Sequence, residues 1–471
     1  MLQQENYLQS RKYNKKVIMF TLLLGSFIAL FNETILNIAF PKLMAEMNVG
    51  ATTVQWLTTG YVLVIAILMP VTAFLMNTFT TKRLFMGAVT LFLIGTICAF
   101  FSASFPLLLI SRIIQAFGTS MMIPILINTA LAIHPREKRG LVMGTCICVV
   151  SLGPAFGPTF SGILLQYFSW HILFLVLTPF LVICLVLGYI FLENVNTITK
   201  PKIDYLSILL SAAGIACIIY SISSMSTVNI LVVLGIFIAG VISVILFCRR
   251  QTLLKQPMLQ VKSFKYPVFA RSMLIIMIIQ MLQFSMNIIL PMVLENGFKT
   301  SSLVTGIVLL PATLFNALLS PMAGKVYDNI GGKIVIPGGV LLMCISTFIL
   351  SNITKSNSIL TIVILYCFIC IGSAMAASNT QTTALNQLPD KFRADGIAII
   401  NTLMQIAGCL GSSLFLGIMS IYENKYLIVS HSKISAAFYG FTSSIRFAAI
   451  ILVIGFILSL TLKYDIKNKL R

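Results

Sequence analysis

Charge is what this sequence has least of. Only 9% of its 471 residues are Asp, Glu, Lys or Arg, against ~25% in an ordinary soluble domain. Too few remain to cover a water-exposed surface, so water is excluded as the chain's main solvent. Histidine is nearly absent, and His134, His171 and His431 sit at segment ends or in loops, with no spacing that suits zinc. All ten cysteines lie inside or at the edge of apolar runs, which argues for packing residues rather than a disulfide framework. No G-x-x-x-x-G-K-[ST] loop is present, so nothing here cradles ATP. Clustered acids and histidines at one interface, or a Ser/His pair inside an apolar run, would mark an enzyme in a membrane. Neither occurs, and no enzyme or cofactor is expected.

Basic residues outnumber acidic ones, 32 to 12, for a net charge of +20. A nucleic-acid binder gathers such charge on one soluble face, whereas here it is scattered through short gaps between apolar runs. Residues 1–16 are polar and basic, and the run after them is too long for a signal h-region and lacks a small-residue cleavage site, so it is expected to remain.

Hydrophobic residues make up 58% of the chain. A helix needs about 20 apolar residues to cross the hydrocarbon core. Fourteen runs qualify: 17–41, 52–76, 84–104, 106–133, 141–166, 170–192, 205–223, 228–248, 268–294, 301–323, 334–351, 358–386, 396–420 and 440–463. With the first residues inside, twenty-five lysines and arginines fall in inner segments and six in outer ones, leaving Arg112 within a span. The positive-inside rule then places both termini in the cytoplasm.

The chain also carries a repeat. Pro70 to Val89 resembles Pro321 to Val340, with Pro70 matching Pro321, Lys82 matching Lys333 and Gly87 matching Gly338. Both segments run from one span through a tight basic loop into the next. A duplicated six-helix unit follows, with spans 7 and 8 between the copies. The expected divisions are a tail at 1–16, bundles at 17–192 and 268–463, an inserted pair at 205–248, and a tail at 464–471.

Several local motifs carry a resemblance. Phe31-Asn32-Glu33-Thr34-Ile35-Leu36-Asn37 in span 1, Arg112-Ile113-Ile114-Gln115-Ala116-Phe117-Gly118 in span 4, and Gly153-Pro154-Ala155-Phe156-Gly157-Pro158-Thr159-Phe160-Ser161-Gly162 in span 5 resemble the fourteen-span drug:proton antiporter branch of the major facilitator superfamily, the multidrug and lincomycin-resistance type. The loop from Gly324 to Lys333 resembles the superfamily's cytoplasmic gate motif. The resemblance implies an all-α membrane fold of two six-helix bundles plus two inserted helices. It implies proton-coupled export of small hydrophobic compounds from the cell membrane, by a monomer. Its implied proton-coupling residue is Arg112. The antiporter motif holds Gly153, Pro154, Gly157, Pro158 and Gly162, and the gate Lys82, Arg83, Gly324, Asp328, Gly331 and Lys333. Ala116 stands where the motif usually has Gly, and Asn32 where the branch often has Asp.

The acid comes one residue later, at Glu33, about 100° further round the helix. Of the twelve acids Glu33 alone lies well inside a span, and Arg112 is the one basic residue deep in a span. A charge at the bilayer centre costs at least roughly 2.5–3.5 kcal/mol, so both are expected to face a cavity or each other. Both lie about 9–12 Å from the outer end of their spans at 1.5 Å per residue. Glu33 is expected to couple protons together with Arg112, taking one up outside and releasing it inside when conformation or substrate changes its surroundings; the alternative is a static pair tying span 1 to span 4. Asn32, Asn37, Gln115, Asn379, Gln405 and Glu295 are the candidate cavity residues, with a solvated position favoured for Glu295. Trp170 is expected in the interfacial aromatic belt. Protons, a small hydrophobic substrate and lipid are the expected partners, with no nucleic acid. An endogenous lipid or metabolite as cargo, or uptake by symport, is the alternative, and the span 5 motif argues against symport.

Overall fold

The computed structural model describes residues 14–134, 139–194, 204–225, 228–254, 257, 259–354 and 358–462. The expected tails therefore fall outside the described residues, apart from 14–16. Among the described residues there are fourteen long helices: α1 (Lys15–Ile35), α2 (Trp56–Thr78), α3 (Thr81–Phe100), α4 (Phe105–Ile133), α5 (Arg139–Tyr167), α6 (Leu177–Phe191), α7 (Tyr205–Ser223), α8 (Ile230–Leu253), α9 (Pro267–Asn296), α10 (Ser302–Ile330), α11 (Gly332–Leu350), α12 (Ile359–Asn386), α13 (Asp390–Ser430) and α14 (Lys433–Leu460). Thirteen stretches among the described residues, all but α5, are long and apolar enough to cross a membrane.

Two departures from the expected spans matter most for the site and its surroundings. The first span is interrupted. Pro41 has no N–H to offer the Asn37 carbonyl, so Phe40 takes that carbonyl in a 3-10 turn at Asn37–Ala39, and a short helix, Phe40–Met47, follows. Helix α13 runs ten residues beyond its expected end at 420, through the polar stretch around Tyr422, Glu423 and Lys425, to a left-handed His431. Hydropathy alone missed this extension because it leaves the apolar window.

Helix pairing repeats. In the first half α1 packs on α4, α5 and α6, α4 packs on α2 and α3, and α3 packs on α6. Eight helices later α9 packs on α12, α13 and α14, α12 on α10 and α11, and α11 on α14. The halves meet where α5 lies on α10 and, symmetrically, α13 lies on α2. The inserted α7 packs on α8, α13 and α2. The two copies of the repeated turn close differently. At Gly331 a single residue at φ 84° links α10 to α11, a conformation natural to glycine. Thr80 stands at the matching place, stays extended, and caps α3 by accepting from the Arg83 N–H at 3.3 Å.

The described hydrogen bonds between halves lie toward one end, the face opposite the termini, here called outer. Thr159 donates to the Gly306 carbonyl at 2.8 Å, Gln55 to Ser413 at 3.1 Å, and Thr59 and Ser412 share a bond of 3.2 Å. At the other, basic face, a side chain at Gly324 or Gly331 would meet nothing within 4 Å. The seam is closed outside.

On the basic face, Asp204 caps α7 and receives two hydrogen bonds from Arg250 of α8, both 2.8 Å. The Arg250 guanidinium holds the Asp204 carboxyl down to about 2. Its contribution is present above the usual carboxyl range and is lost as pH falls toward 2. Because the pair is partly exposed, Asp204→Ala is expected to loosen only the α7–α8 hairpin, by about 1 kcal/mol, chiefly through the lost cap. Faster amide exchange confined to 205–253 would verify this. The α11–α12 crossing is tighter: a side chain at Gly372 would come within 2.5 Å of the Gly339 carbonyl. Gly372→Val should cost about 1–3 kcal/mol in thermal unfolding of the detergent-purified protein, while Gly338→Ala, which meets nothing within 4 Å, should not destabilise.

Candidate functional site

Glycine-mediated close approach sets the site's geometry. Helix α3 crosses α4 so closely at Gly95 that a Cβ there would lie 2.7 Å from Gln115 Cγ. This contact carries the Gln115 amide to Thr96, to which its Nε2 donates at 3.0 Å, and Thr96 in turn donates to the Phe92 carbonyl at 2.7 Å. The Gln115 Oε1 accepts from Asn32 Nδ2 at 3.1 Å and from Arg112 Nη1 at 3.0 Å. Spans 1, 3 and 4 are thereby joined in one directed chain.

Arg112 is wholly buried. Its Nε donates to the Leu57 carbonyl at 3.2 Å and its Nη1 to the Asn32 carbonyl at 3.1 Å. The Tyr61 ring lies 4.1 Å below the guanidinium carbon, in cation–π contact. Tyr61 is itself fixed by Thr119 at 2.6 Å and by the Ala29 carbonyl at 3.3 Å. The cation is thus held by neutral oxygens and a ring. The sequence reading allowed a direct Glu33–Arg112 contact, but the two do not form one. Glu33 is 3% exposed and its Oε2 has no hydrogen-bond partner. The Asn32 Oδ1 and Arg112 Nη2 also lack partners.

The antiporter motif lies against this segment. A Cβ at Gly153 would be 3.0 Å from the Phe31 nitrogen, and one at Gly157 2.2 Å from Thr34 Oγ1. These two glycines, four apart, let α5 clasp span 1 on either side of Asn32 and Glu33. Pro158 and Gly162, also four apart, face the other half: the Pro158 carbonyl lies beneath Gly306, and a Cβ at Gly162 would be 2.4 Å from the Ser302 carbonyl. The Pro154 carbonyl faces Thr34 Oγ1 at 3.5 Å.

Other candidates are more scattered. Asn37 is buried and accepts from Thr58 at 2.9 Å. Asn379 is 2% exposed, and its amide nitrogen is engaged by the Ala323 and Met375 carbonyls at 3.2 and 2.8 Å, so it ties α12 to α10. Gln405 is half-buried with Oε1 unpartnered. Glu295 is not the solvated acid favoured from sequence: it is partly buried near Lys42 and Ser302 at the closed outer seam, with Oε1 unpartnered. Lys82 lies over the Tyr189 ring at 4.9 Å, Arg83 and Lys333 are exposed, and the Asp328 side chain lies outside the described residues. Trp170 is no belt residue. It is 1% exposed, donates to Glu46 at 3.0 Å and stacks on His171, because Glu46 follows the break in span 1 and turns back over it. Sequence reasoning missed Tyr61, Thr96 and Thr119. A tyrosine at mid-span, away from the interfaces where it is usually enriched, was the available signal for the first.

Comparison with known proteins agrees with this architecture. The sequence profile of the Major Facilitator Superfamily matches residues 22–412 and 272–469. A protein of Bacillus subtilis named lincomycin resistance protein LmrB is 40% identical over 462 residues, covering 95% of this chain and 96% of that one. The Listeria monocytogenes protein of the same name is 36% identical over 453 residues, 95% and 96% covered. Among solved structures, an inward-facing bacterial homolog of the human lysosomal transporter Spinster superposes with a TM-score of 0.69 at 14% identity, covering 96% of this chain and 97% of that one, a likeness of fold. The chain is a multi-pass membrane transporter, not an enzyme, and belongs to the major facilitator superfamily.

Proposed function

We propose that this transporter exports small hydrophobic or amphipathic compounds, antibiotics among them, in exchange for protons, by alternating access across the cell membrane with both termini in the cytoplasm. The names of its relatives support the cargo class. The observation that carries the coupling is the state of Glu33: a buried carboxyl with an oxygen left unpartnered.

A carboxylate buried without a donor is costly, and a bound proton removes that charge and supplies a donor of its own. Arg112 does not quench this by direct pairing: its Nε and Nη1 are engaged by Leu57, Asn32 and Gln115, and its Nη2 reaches no acceptor. In the proposed cycle Glu33 takes a proton from outside when the outer seam opens. It releases the proton inward when substrate or the basic-face opening gives the carboxylate water or a donor. Gly153, Pro154 and Gly157 hold span 1 in register while Pro158 and Gly162 form and break the seam with α10. Lys82, Arg83, Gly324, Asp328, Gly331 and Lys333 close the basic face in the opposite state. Gln405 and Glu295 keep acceptors for cargo, Asn32, Asn37 and Gln115 shape the wall, and Asn379 keeps only its oxygen. The working divisions are bundles at 17–192 and 268–463 with the inserted pair at 205–248. No cofactor beyond the proton gradient is needed, and the monomer suffices.

In reconstituted vesicles, an imposed pH gradient should drive movement of a fluorescent hydrophobic dye. Glu33→Gln should reduce that movement to the level without a gradient, while downhill dye exchange persists. Full gradient-driven transport by Glu33→Gln would remove Glu33 from the coupling role. Arg112→Lys should not rescue, since one ammonium cannot serve three separated acceptors and stack on Tyr61. Each buried acceptor left open costs about 1–3 kcal/mol. Lower thermal stability together with lost transport is expected, and wild-type values for both would show that the fork geometry is dispensable.

A further inference from the structure

The inserted helices are not only spacers. On the basic-face half of the protein, α7 and α8 stand off from α2 and α13 and leave a cavity of about 260 Å³, bounded by Ile215, Val244, Phe247, Phe264 and Ile406. Its two hydroxyl side chains already donate to their own helices: Ser211 to the Ile208 carbonyl at 3.0 Å and Thr402 to the Ala398 carbonyl at 2.9 Å. Its lining suits a hydrocarbon chain. Helix α8 has a mean hydropathy of 3.1, and only 17% of that window is buried, so lipid surrounds it.

The mouth has the opposite chemistry. The chain returns from α8 toward α9 along the short 3-10 turn Val261–Lys265. Gln251 pins this return, accepting from the Leu259 N–H at 3.3 Å while its Nε2 donates to Ser207 at 2.7 Å. Three residues per turn put Val261 and Phe264 on the cavity side. Lys262 and Lys265, equally spaced, are exposed, as is Arg249 at the end of α8. Asp204, at the start of α7, is taken by Arg250. An apolar hole ringed by free cations at the depth of a headgroup fits one class of occupant.

We propose that this cavity is a binding site for one anionic phospholipid, an acyl chain lying between the insert and α13 and the headgroup resting against Lys262, Lys265 and Arg249. Since α2 and α13 come from different halves, the bound lipid is part of the surface along which the halves move.

Native mass spectrometry of the full-length protein released from vesicles of equal phosphatidylglycerol and phosphatidylcholine tests this. One phosphatidylglycerol should be retained, in about tenfold preference. Lys262→Gln and Lys265→Gln should each lower the preference by roughly fivefold or less, with a lipid still bound. Val244→Phe on α8 and Ile406→Trp on α13 fill the hole from opposite walls and should abolish retention, while Val244→Ala should keep it. Equal retention of the two lipids by the wild type, or retention unchanged in both filled variants, would overturn the proposal. So would displacement of the retained lipid by the dye used for transport, since the hole would then belong to the cargo path.

Discussion

A guanidinium shut away from water must find acceptors for its donors, and the centre of the first bundle is organised around that demand. No carboxylate meets Arg112. It is held by two backbone carbonyls, one from span 1 and one from span 2, by the amide of Gln115 three residues on, and by the face of Tyr61. Each acceptor fixes something else in turn. The Asn32 carbonyl sets the rotation of span 1. Gln115 reaches Thr96 only because Gly95 lets α3 come close, and Tyr61 is anchored by Thr119 and Ala29. Removing the cation would strand acceptors on spans 1, 2 and 4, and buried polar groups without partners are costly in a low-dielectric interior.

Span 1 and α4 also meet α5, which solves a different problem with one surface pattern. Gly153 and Gly157 admit span 1 on one stripe, while Pro158 and Gly162 admit α10 on the stripe next to it. In lipid there is no hydrophobic gain from bringing helices together, so contact depends on close backbone approach and small residues. A helix that clasps Asn32 and Glu33 on one side and the other half of the protein on the other cannot shift at the seam without shifting the acid. This gives the antiporter motif a physical content beyond sealing a cavity.

Much of this was legible in the sequence, and unevenly so. The paucity of charge and fourteen apolar runs led to the membrane and to the helix number. The matched Pro, Lys and Gly of the repeated turn led to the duplication, which the pairing of α1 through α6 and α9 through α14 repeats. The two embedded charges were also visible, because an ion in lipid is expensive enough to be conspicuous. Their relation was not. Similar depth from the outer ends of spans 1 and 4 carried no rotation, and whether Arg112 meets Glu33 depends on rotation. Trp170 and Glu295 were misjudged for a related reason: interface residues inferred from position in a linear run can be covered by the chain that follows a break. The break at Asn37 was written in Pro41, and its consequence, a short helix folding Glu46 onto Trp170, was tertiary. Tyr61, Thr96 and Thr119 are individually ordinary, and only the buried cation gives them work.

The missing pair between Glu33 and Arg112 bears directly on the proposed cycle. Breaking a buried ion pair by neutralising one partner costs about 3–5 kcal/mol, so a tightly paired Glu33 would resist the very proton it is meant to carry. A cation held by neutral oxygens and a ring rather than by a carboxylate leaves the acid the more easily charged and discharged member. Burying one ion costs several kcal/mol even after relaxation, and shifting a two-state equilibrium from 1:99 to 99:1 needs about 5.5 kcal/mol. The two quantities are of one size. A single proton at a site that is buried with the outer seam closed and hydrated in another state therefore has enough leverage to bias the halves, provided the acid sits where they face one another. Glu33 lies in the stretch of span 1 clasped by α5, the helix that also meets α10 of the other half.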